Sequence, residues 1–307
     1  MPSSIHVSGR LGAVLALLLV TPILTPAAWA QSEGRLFLSV RDETGAPLTD
    51  LTADQVWVLE DGVKRETKEL RLVGSPPRLS VLVDNGNSTR QILADVQRGL
   101  RGFLDALPAA VEVELVAFGG RARMVERWTT DRAELIDAVG QIAPESGAAK
   151  YVDALDEARR RYDDLKDDED YLWPHILVIA GDGREASNTN EQRINRLVQG
   201  LYDLPATIHV LFLRTANLQN QDIVQSELSL ILTENTRGQF ERASVGGTIP
   251  DVLAKMAEQI ARVAVAQSQQ YVLVFERPDG VEVSQTSLQI DRPDARQVQA
   301  TGDGRLP

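Results

Sequence analysis

Apolar and polar residues follow two different periods along the chain, and the change from one to the other divides the sequence. From Arg35 to Arg41 every second residue is apolar, which is the period of a strand with one buried face. Residues 56–66, VWVLEDGVKRE, predict two more strands joined at Asp61-Gly62, a dipeptide favoured in tight hairpins. Residues 31–76 are therefore predicted to form a small β module that ends in the turn-rich sequence VGSPPR.

Between residues 77 and 268 continuous apolar runs alternate with segments of helical period. The runs have the length and composition of strands covered on both faces, and they are LSVLV (79–83), VEVELVAF (111–118), HILVIA (175–180) and TIHVLFL (207–213). The segment between the first two runs, residues 92–107, carries apolar residues at helical spacing. This alternation predicts an α/β fold with a doubly wound, mostly parallel sheet and helices on both faces.

The end of the chain returns to the strand period. YVLVFE (271–276) and VEVSQTSLQI (281–290) flank a turn sequence at Pro278-Asp279-Gly280, so a C-terminal β-hairpin is predicted over residues 269–290. Residues 291–307 are mostly polar and are predicted to be a flexible tail.

The first 30 residues have the pattern of a secretory signal peptide. Arg10 precedes a long uncharged apolar stretch, which ends in the cleavage-type sequence Ala28-Trp29-Ala30. We expect cleavage after Ala30 and an exported protein, either periplasmic or secreted. The alternative is an uncleaved membrane anchor, because the apolar stretch is nearly long enough to cross a bilayer. Contact with a membrane is expected only if this segment is retained.

Composition narrows the choice of partner and chemistry. The 307 residues carry a formal net charge of -12, which argues against nucleic acid and anionic membranes as partners. Because Arg10 is the single charged residue of the predicted leader, cleavage would take this charge to -13. The absence of cysteine excludes disulfides, thiolate metal sites and a cysteine nucleophile. GDGREA (181–186) matches a dinucleotide fingerprint only weakly, and no small-molecule cofactor is expected.

Two acids stand where predicted strands end. Asp84 follows LSVLV directly, and Asp182 follows HILVIA after one glycine. In sheets of this class, ligands bind at the carboxyl ends of the strands, so these acids mark the predicted site.

Most enzymes that use such an acid need a partner that the chain lacks. Phosphatases of the haloacid dehalogenase type need a second Asp at the position of Gly86, and no G-x-S-x-G nucleophile elbow occurs. His175 and His209 lie in or beside predicted strands, where a hydrogen-bonded structural role is favoured. A hydrolase that uses Asp84 and Asp182 as a metal-assisted pair stays open as an alternative.

The order of these motifs resembles the von Willebrand factor type A (VWA) family. An apolar strand followed by D-x-[small]-x-S, then YVDAL (151–155), then a strand followed by GDG, is similar to the family's pattern. The flanks are similar too, with LTADQVWVLEDG (51–62) before the domain and YVLVFE after it, as in exported bacterial members. The resemblance implies a doubly wound fold, an adhesion-type function, and a metal site built from D-x-S-x-S, a Thr and a later Asp.

Carried over residue by residue, that metal site is incomplete. Asp84, Ser88 and Asp182 match the family's ligands, whereas Gly86 replaces the first Ser and the expected Thr falls on Ala148 or Ala149. Two carboxylates with added waters could still bind magnesium, manganese or calcium weakly, because Mg²⁺ needs six oxygens and keeps water readily. The favoured alternative is structural. In it, Asp84 and Asp182 accept backbone N–H groups, and Gly86 supplies permissive backbone angles.

The sequence as a whole predicts an exported, non-enzymatic module that binds a protein partner. Its binding surface is predicted at the carboxyl ends of the strands, where the polar contacts would be Asn85, Asn87, Arg90, Lys150, Arg184, Glu185 and Asn188. Binding without a tightly bound metal is favoured, and a metal-dependent version of the same module is the alternative.

Overall fold

The computed structural model describes residues 14–16, 33–165, 173–204, 206–214, 223–244, 246–277 and 283–306. The strands are β1 (Val14–Ala16), β2 (Glu33–Arg41), β3 (Val56–Glu60), β4 (Val63–Arg65), β5 (Thr67–Leu72), β6 (Leu79–Val83), β7 (Val113–Ala117), β8 (Arg123–Thr129), β9 (His175–Gly181), β10 (Thr207–Leu213), β11 (Phe240–Ala243), β12 (Tyr271–Glu276), β13 (Thr286–Ile290) and β14 (Gln297–Thr301). They fall into two compact units, one of residues 76–265 and one built from both ends of the chain.

The helices come between the strands of the central part of the chain. They are α1 (Leu93–Ala106), α2 (Arg132–Gly140), α3 (Tyr151–Asp163), α4 (Glu191–Asp203), α5 (Ile223–Thr236) and α6 (Ile249–Ser268). Within the described residues, none of them combines the length and the apolar character that crossing a bilayer requires.

The unit of residues 76–265 contains a six-stranded sheet in the order β11-β10-β9-β6-β7-β8. Each strand runs parallel to its neighbours except β8, which is antiparallel to β7 at one edge. The predicted α/β fold with a mostly parallel sheet is therefore confirmed.

The apolar runs of the central strands are buried because helices cover both faces of the sheet. In β6, Val81 and Val83 pack in one core with residues of α1, α2 and α6. Leu82 lies between them in sequence and packs on the opposite face with residues of α3, α4 and α5. This division follows from the two-residue period of a strand, and it explains why β6 is apolar at successive positions.

The chain leaves β6 toward β7 on one side and later fills the other side with β9, β10 and β11. The strand order therefore changes direction between β6 and β9. Crossovers on the two sides of such a point turn away from each other, which opens a crevice at the carboxyl ends of the strands. Asp84 and Asp182 directly follow the two strands that flank this point.

The second unit contains two antiparallel sheets, in the orders β1-β13-β3-β4 and β14-β2-β12-β5. Alternate residues of β2, β3, β12 and β13 share one apolar core. The hydroxyl of Tyr271 in β12 accepts a hydrogen bond from the backbone N–H of Leu51 at 2.9 Å, so it is satisfied where it is buried.

The predicted C-terminal hairpin over residues 269–290 is wrong. β12 pairs with β2 and β5, and β13 pairs with β3 and β1, so the two strands belong to different sheets. Both join strands more than 200 residues away in sequence, a pairing that a turn signal cannot reveal. The turn sequence at 278–280 lies outside the described residues.

The two ends of the chain also differ from expectation. β14 pairs with β2 along five residues, so the segment 291–307 is not a free tail over its described part. Of the predicted signal peptide, the described residues include only Val14–Ala16, which pair antiparallel with Leu288–Ile290 of β13. Cleavage of this segment stays a prediction.

Candidate functional site

Two neighbouring strands bring the predicted site residues together. Asp84 follows β6, and its backbone N–H donates to the carbonyl of Ile179 in β9 at 2.8 Å. Asp182 follows β9, and its backbone N–H donates to the carbonyl of Leu213 in β10 at 3.0 Å. The ladder thus continues beyond the strand ends, which fixes the backbone of both acids.

The Asp84 carboxylate is fully buried and is occupied by its own surroundings. Its Oδ1 accepts the backbone N–H of Gly86 at 2.8 Å, and its Oδ2 accepts that of Gly181 at 3.0 Å. The Ser88 hydroxyl donates to Oδ2 at a longer 3.3 Å. Burial raises the pKa of Asp84 above its usual value, and these hydrogen bonds oppose that shift. These hydrogen bonds agree with the structural role predicted for Asp84.

Asn85 is buried, and its hydrogen bonds connect neighbouring loops. Its amide Nδ2 donates to the carbonyl of Ala143 at 2.7 Å, and its Oδ1 accepts the backbone N–H of Gly119 at 2.7 Å. Its own carbonyl accepts the N–H of Glu145 at 2.8 Å. The prediction that Asn85 contacts a partner is therefore wrong, because the side chain is fully buried and used within the protein.

Gly86 lies in a tightly packed place. A Cβ at this position would lie 3.1 Å from Asp84 Oδ1 and 3.1 Å from the carbonyl oxygen of Gly147. Its φ is not in the left-handed region, so the predicted need for permissive backbone angles is wrong. We expect a serine here to crowd these two oxygens, so that the neighbouring atoms must shift by a few tenths of an ångström.

Glu185 caps the start of α3 from a loop 34 residues away. Its Oε2 accepts the backbone N–H of Tyr151 at 3.1 Å and the Gln225 amide at 3.1 Å, while its Oε1 accepts the N–H of Ser187 at 2.7 Å. The Ser187 hydroxyl accepts the N–H of Asp153 at 3.0 Å in the same turn. Burial raises the pKa of Glu185.

Sequence reasoning missed this cap. Lys150, the residue that precedes α3, gives the helix no side-chain cap of its own, so the usual signal at an N-terminus is missing. The prediction of Glu185 as a partner contact is wrong, since only 8% of the residue is exposed. A carboxylate followed two residues later by serine was the available hint, and it is common in loops of any kind.

Residues 79–185 match the family model described as the von Willebrand factor type A domain. This chain contains a VWA domain. We use that name below for the unit of residues 76–265, which includes the matched segment. No curated protein matches the sequence.

Solved structures are similar to this chain at low sequence identity. The von Willebrand factor type A protein from Catenulispora acidiphila is 13% identical, over 89% of this chain and 71% of its own, with a TM-score of 0.50. BatB from Bacteroides thetaiotaomicron is 15% identical, over 61% of this chain and 99% of its own, with a TM-score of 0.45. Manganese-loaded TRAP from Plasmodium vivax is 14% identical, over 76% and 94%, with a TM-score of 0.47.

The metal motif of the family can be tested against the side chains of this VWA domain. Asp84 and Asp182 supply two carboxylates and Ser88 one hydroxyl, while Ala149 is buried and carries no oxygen on its side chain. The oxygens of Asp84 already accept N–H groups, and no group of three or more His, Asp or Glu side chains is placed to hold an ion among the described residues. Mg²⁺ takes about six oxygens, and these three side chains would leave much of its shell to water, so the donor set does not fit a preorganised divalent-cation site.

The remaining predicted contacts of the VWA domain do lie at the surface. Asn87, Arg90, Arg184 and Asn188 are exposed. Lys150 is half-buried, and its ammonium lies 3.7 Å from Asp153. We refer below to residues 84–92, 118–122, 143–150 and 182–190, together with Arg214, as the carboxyl-end loops.

The two histidines pair with each other at the opposite ends of the strands. His175 Nδ1 lies 3.0 Å from His209 Nε2 in stacked rings, and the Gln239 backbone N–H donates to His209 Nδ1 at 3.2 Å. That bond places the single proton of a neutral His209 on Nε2, which donates to His175. Burial, and secondly His175, lower the pKa of His209 well below its usual value. The predicted structural role is confirmed for both residues.

Proposed function

We propose that this chain is an exported, non-enzymatic protein–protein interaction module, and that its partner binds the carboxyl-end loops without a tightly bound metal. The observation that carries this proposal is the division of the polar residues in these loops. Asp84, Asn85 and Glu185 are buried and form hydrogen bonds inside the VWA domain. Exposed polar side chains of the same loops are left to meet a partner.

The decisive test is binding to a defined partner. Chemical cross-linking in cells followed by mass spectrometry would identify that partner, and calorimetry with the purified pair would give the affinity. We expect Arg90→Ala and Arg184→Ala to weaken binding, and Arg101→Ala, on the exposed side of α1, to leave it unchanged. Binding that survives both loop substitutions would show that the partner uses another surface.

A metal-dependent version of the same module is the second candidate. It is favoured by Asp84, Ser88 and Asp182, which occupy the positions of the family's ligands. The two versions separate in one titration, because partner binding measured in magnesium and then in chelator is expected to be equal. A loss of affinity in chelator, restored by manganese or magnesium, would favour the metal-dependent version.

A hydrolase that uses Asp84 and Asp182 is the third candidate, and the geometry gives it little support. The Asp84 carboxylate is fully buried and accepts backbone N–H groups with both oxygens, so it is not exposed to a substrate. Turnover of phosphoester or glycoside substrates by the wild-type chain, lost in Asp84→Asn, would revive this candidate. We expect no turnover.

Export is proposed from the leader-like sequence alone. N-terminal sequencing of the protein from fractionated cells is expected to give Gln31 as the first residue, in the periplasm or the medium. An intact N-terminus in the membrane fraction would show instead that the segment is a retained anchor.

A further inference from the structure

Four exposed arginines lie in a row at the carboxyl ends of four neighbouring strands. Arg121 follows β7, Arg90 follows β6, Arg184 follows β9 and Arg214 follows β10 directly. These strands are adjacent in the order β10-β9-β6-β7 and run parallel, so all four loops leave the same edge of the sheet. At about 4.8 Å between strands, the four strand ends span about 15 Å, and we call the four residues that follow them the arginine row.

The acidic side chains of the same loops are withdrawn from the surface. Asp84 is fully buried, and Asp182 and Glu185 are 5% and 8% exposed. Glu145 is half-buried; its Oε2 accepts the backbone N–H of Gly120 at 3.2 Å, and its Oε1 lies 3.8 Å from Arg123. Among the described residues of these loops, the charge that reaches solvent is therefore mainly positive, on a chain whose net charge is -12.

Within the part of the chain that the structure describes, the guanidinium groups of this row form no ion pair. Arg121, Arg184 and Arg214 form no salt bridge with another described residue, and Arg90 makes only two contacts of 3.4 Å, to Asn87 Oδ1 and to the carbonyl of Glu145. On α3 and α4, by contrast, arginines pair with acids, and these include Arg159, Arg160, Arg161 and Arg193. An arginine that is exposed and unpaired keeps its full capacity to bind a carboxylate in two-point fashion.

We infer that this arginine row binds an acidic peptide segment of the partner through guanidinium–carboxylate pairs, without a bridging metal. The inference rests on the proposed function and adds the chemistry of the partner. An extended segment advances about 3.3 Å per residue, so the row spans about five residues. Alternate side chains of that segment point to one side, which lets two or three Asp or Glu residues meet the row.

A peptide fits this row better than a nucleic acid. Double-stranded DNA carries a charge about every 1.7 Å along a rod that extends far beyond the row, so it would also face the acidic remainder of the surface. A short acidic segment meets the arginines without that repulsion. Such a contact should be steered by charge and weakened by salt.

The test uses the full chain and a fluorescent deca-glutamate peptide, with deca-glutamine as the uncharged control, measured by anisotropy in chelator. Two double variants carry the same change in net charge. Arg184→Glu/Arg214→Glu alters the row, and Arg101→Glu/Arg127→Glu alters exposed arginines on α1 and β8. We expect about a tenfold or greater loss of affinity in the first and less than about twofold in the second, and weakening as salt rises. Thermal unfolding of both variants checks that they fold.

Three results would overturn the inference: equal loss in the two double variants, equal binding of deca-glutamine, or equally tight binding of a DNA duplex. The identified partner separates this inference from the proposed function. If Arg184→Glu/Arg214→Glu leaves partner binding intact while Asn87→Ala/Asn188→Ala weakens it, the acidic specificity is wrong and the binding surface stands. If neither variant changes partner binding, both proposals fail.

Discussion

Asp84 Oδ2 accepts the backbone N–H of Gly181 at 3.0 Å, so the acid at the end of one strand holds the end of the next. Removing the carboxylate leaves this N–H and that of Gly86 buried without an acceptor. We expect Asp84→Ala to lower the free energy of unfolding by about 2–4 kcal/mol, since an unsatisfied buried group costs about 1–3 kcal/mol.

Urea denaturation measures this loss, and Ser88→Ala is the matched control. The Ser88 hydroxyl makes a longer contact with Asp84 and is only partly buried, so we expect a loss below about 1 kcal/mol. If Asp84→Ala unfolded at the wild-type urea concentration, the carboxylate would not have the structural role assigned to it.

Two adjacent residues of one loop should have different roles. We expect Glu185 to contribute to stability and Arg184 to partner binding. Glu185→Ala removes the cap of Tyr151 and the acceptor for Ser187, which should cost about 1–3 kcal/mol. Arg184→Ala removes an exposed side chain and should change stability by less than about 0.5 kcal/mol. Chemical denaturation of both variants checks this, and equal losses would contradict the cap.

Restoring the family's serine at position 86 should harm the domain. Gly86→Ser places a Cβ against the Asp84 carboxylate and the Gly147 carbonyl, and such overpacking costs about 1–3 kcal/mol. Gly102→Ser in α1 is the control, because no atom lies within 4 Å of its Cβ position. A Gly86→Ser variant as stable as wild type would mean that the loop yields readily.

Divalent cations should leave the melting temperature of the wild-type chain unchanged. A metal bound at about a hundred times its Kd would add about 2.7 kcal/mol, which is a shift of several degrees for a domain of this size. Thermal unfolding in magnesium, manganese or calcium, each compared with chelator, measures it. A shift that disappears in Asp84→Ala would establish a metal site.

Stability should fall as pH drops below the usual His pKa of 6.5. The pKa of buried His209 is lowered in the folded state, so the unfolded chain binds the extra proton first. The free energy of unfolding then decreases with falling pH by at most about 1.4 kcal/mol per pH unit.

The variant His209→Asn isolates this effect. Asp84 and Glu185 act in the opposite direction, because their raised pKa values make the folded state bind protons more readily. The measured quantity is therefore the difference in slope between wild type and His209→Asn from about pH 7.5 to 5. An unchanged slope would show that His209 is not the group responsible.

Local sequence patterns predicted most strands and helices of the VWA domain, because the spacing of apolar residues depends on which side of each segment is buried. LSVLV is apolar throughout because β6 faces helices on both sides, and the acids after β6 and β9 lie together because parallel strands end at one edge. The contacts that join distant loops have no local sequence pattern and could not be predicted in this way. In sequence, Glu185 looks like any acid in a loop, and its role as a cap is visible only when α3 lies beside it. Gly86 looks like a turn glycine, and its tight packing is visible only when Gly147 lies against it.

In the terminal unit, β2, β12 and β13 were predicted as strands but their partners were not, and β14 lies in the segment that was predicted to be a flexible tail. β12 and β13 are separated by a turn-like sequence, which favours a hairpin whenever only neighbours in sequence are considered. Their actual partners are β2 and β3, and the two sheets that result share one apolar core. Periodicity identifies a strand and its buried face, and it carries no information about which edge the strand joins.

The position of β2 between β12 and β14 sets an order of events for a chain made from its N-terminus. β2 ends at Arg41, but the two strands that flank it in the sheet begin at Tyr271 and Gln297. β2 can therefore pair only after nearly the whole polypeptide has been synthesised. The VWA domain lies between these segments in the sequence and is a separate compact unit of residues 76–265. The VWA domain can therefore fold first. The pairing of β12 and β14 with β2, which completes the terminal unit, is then the last folding step.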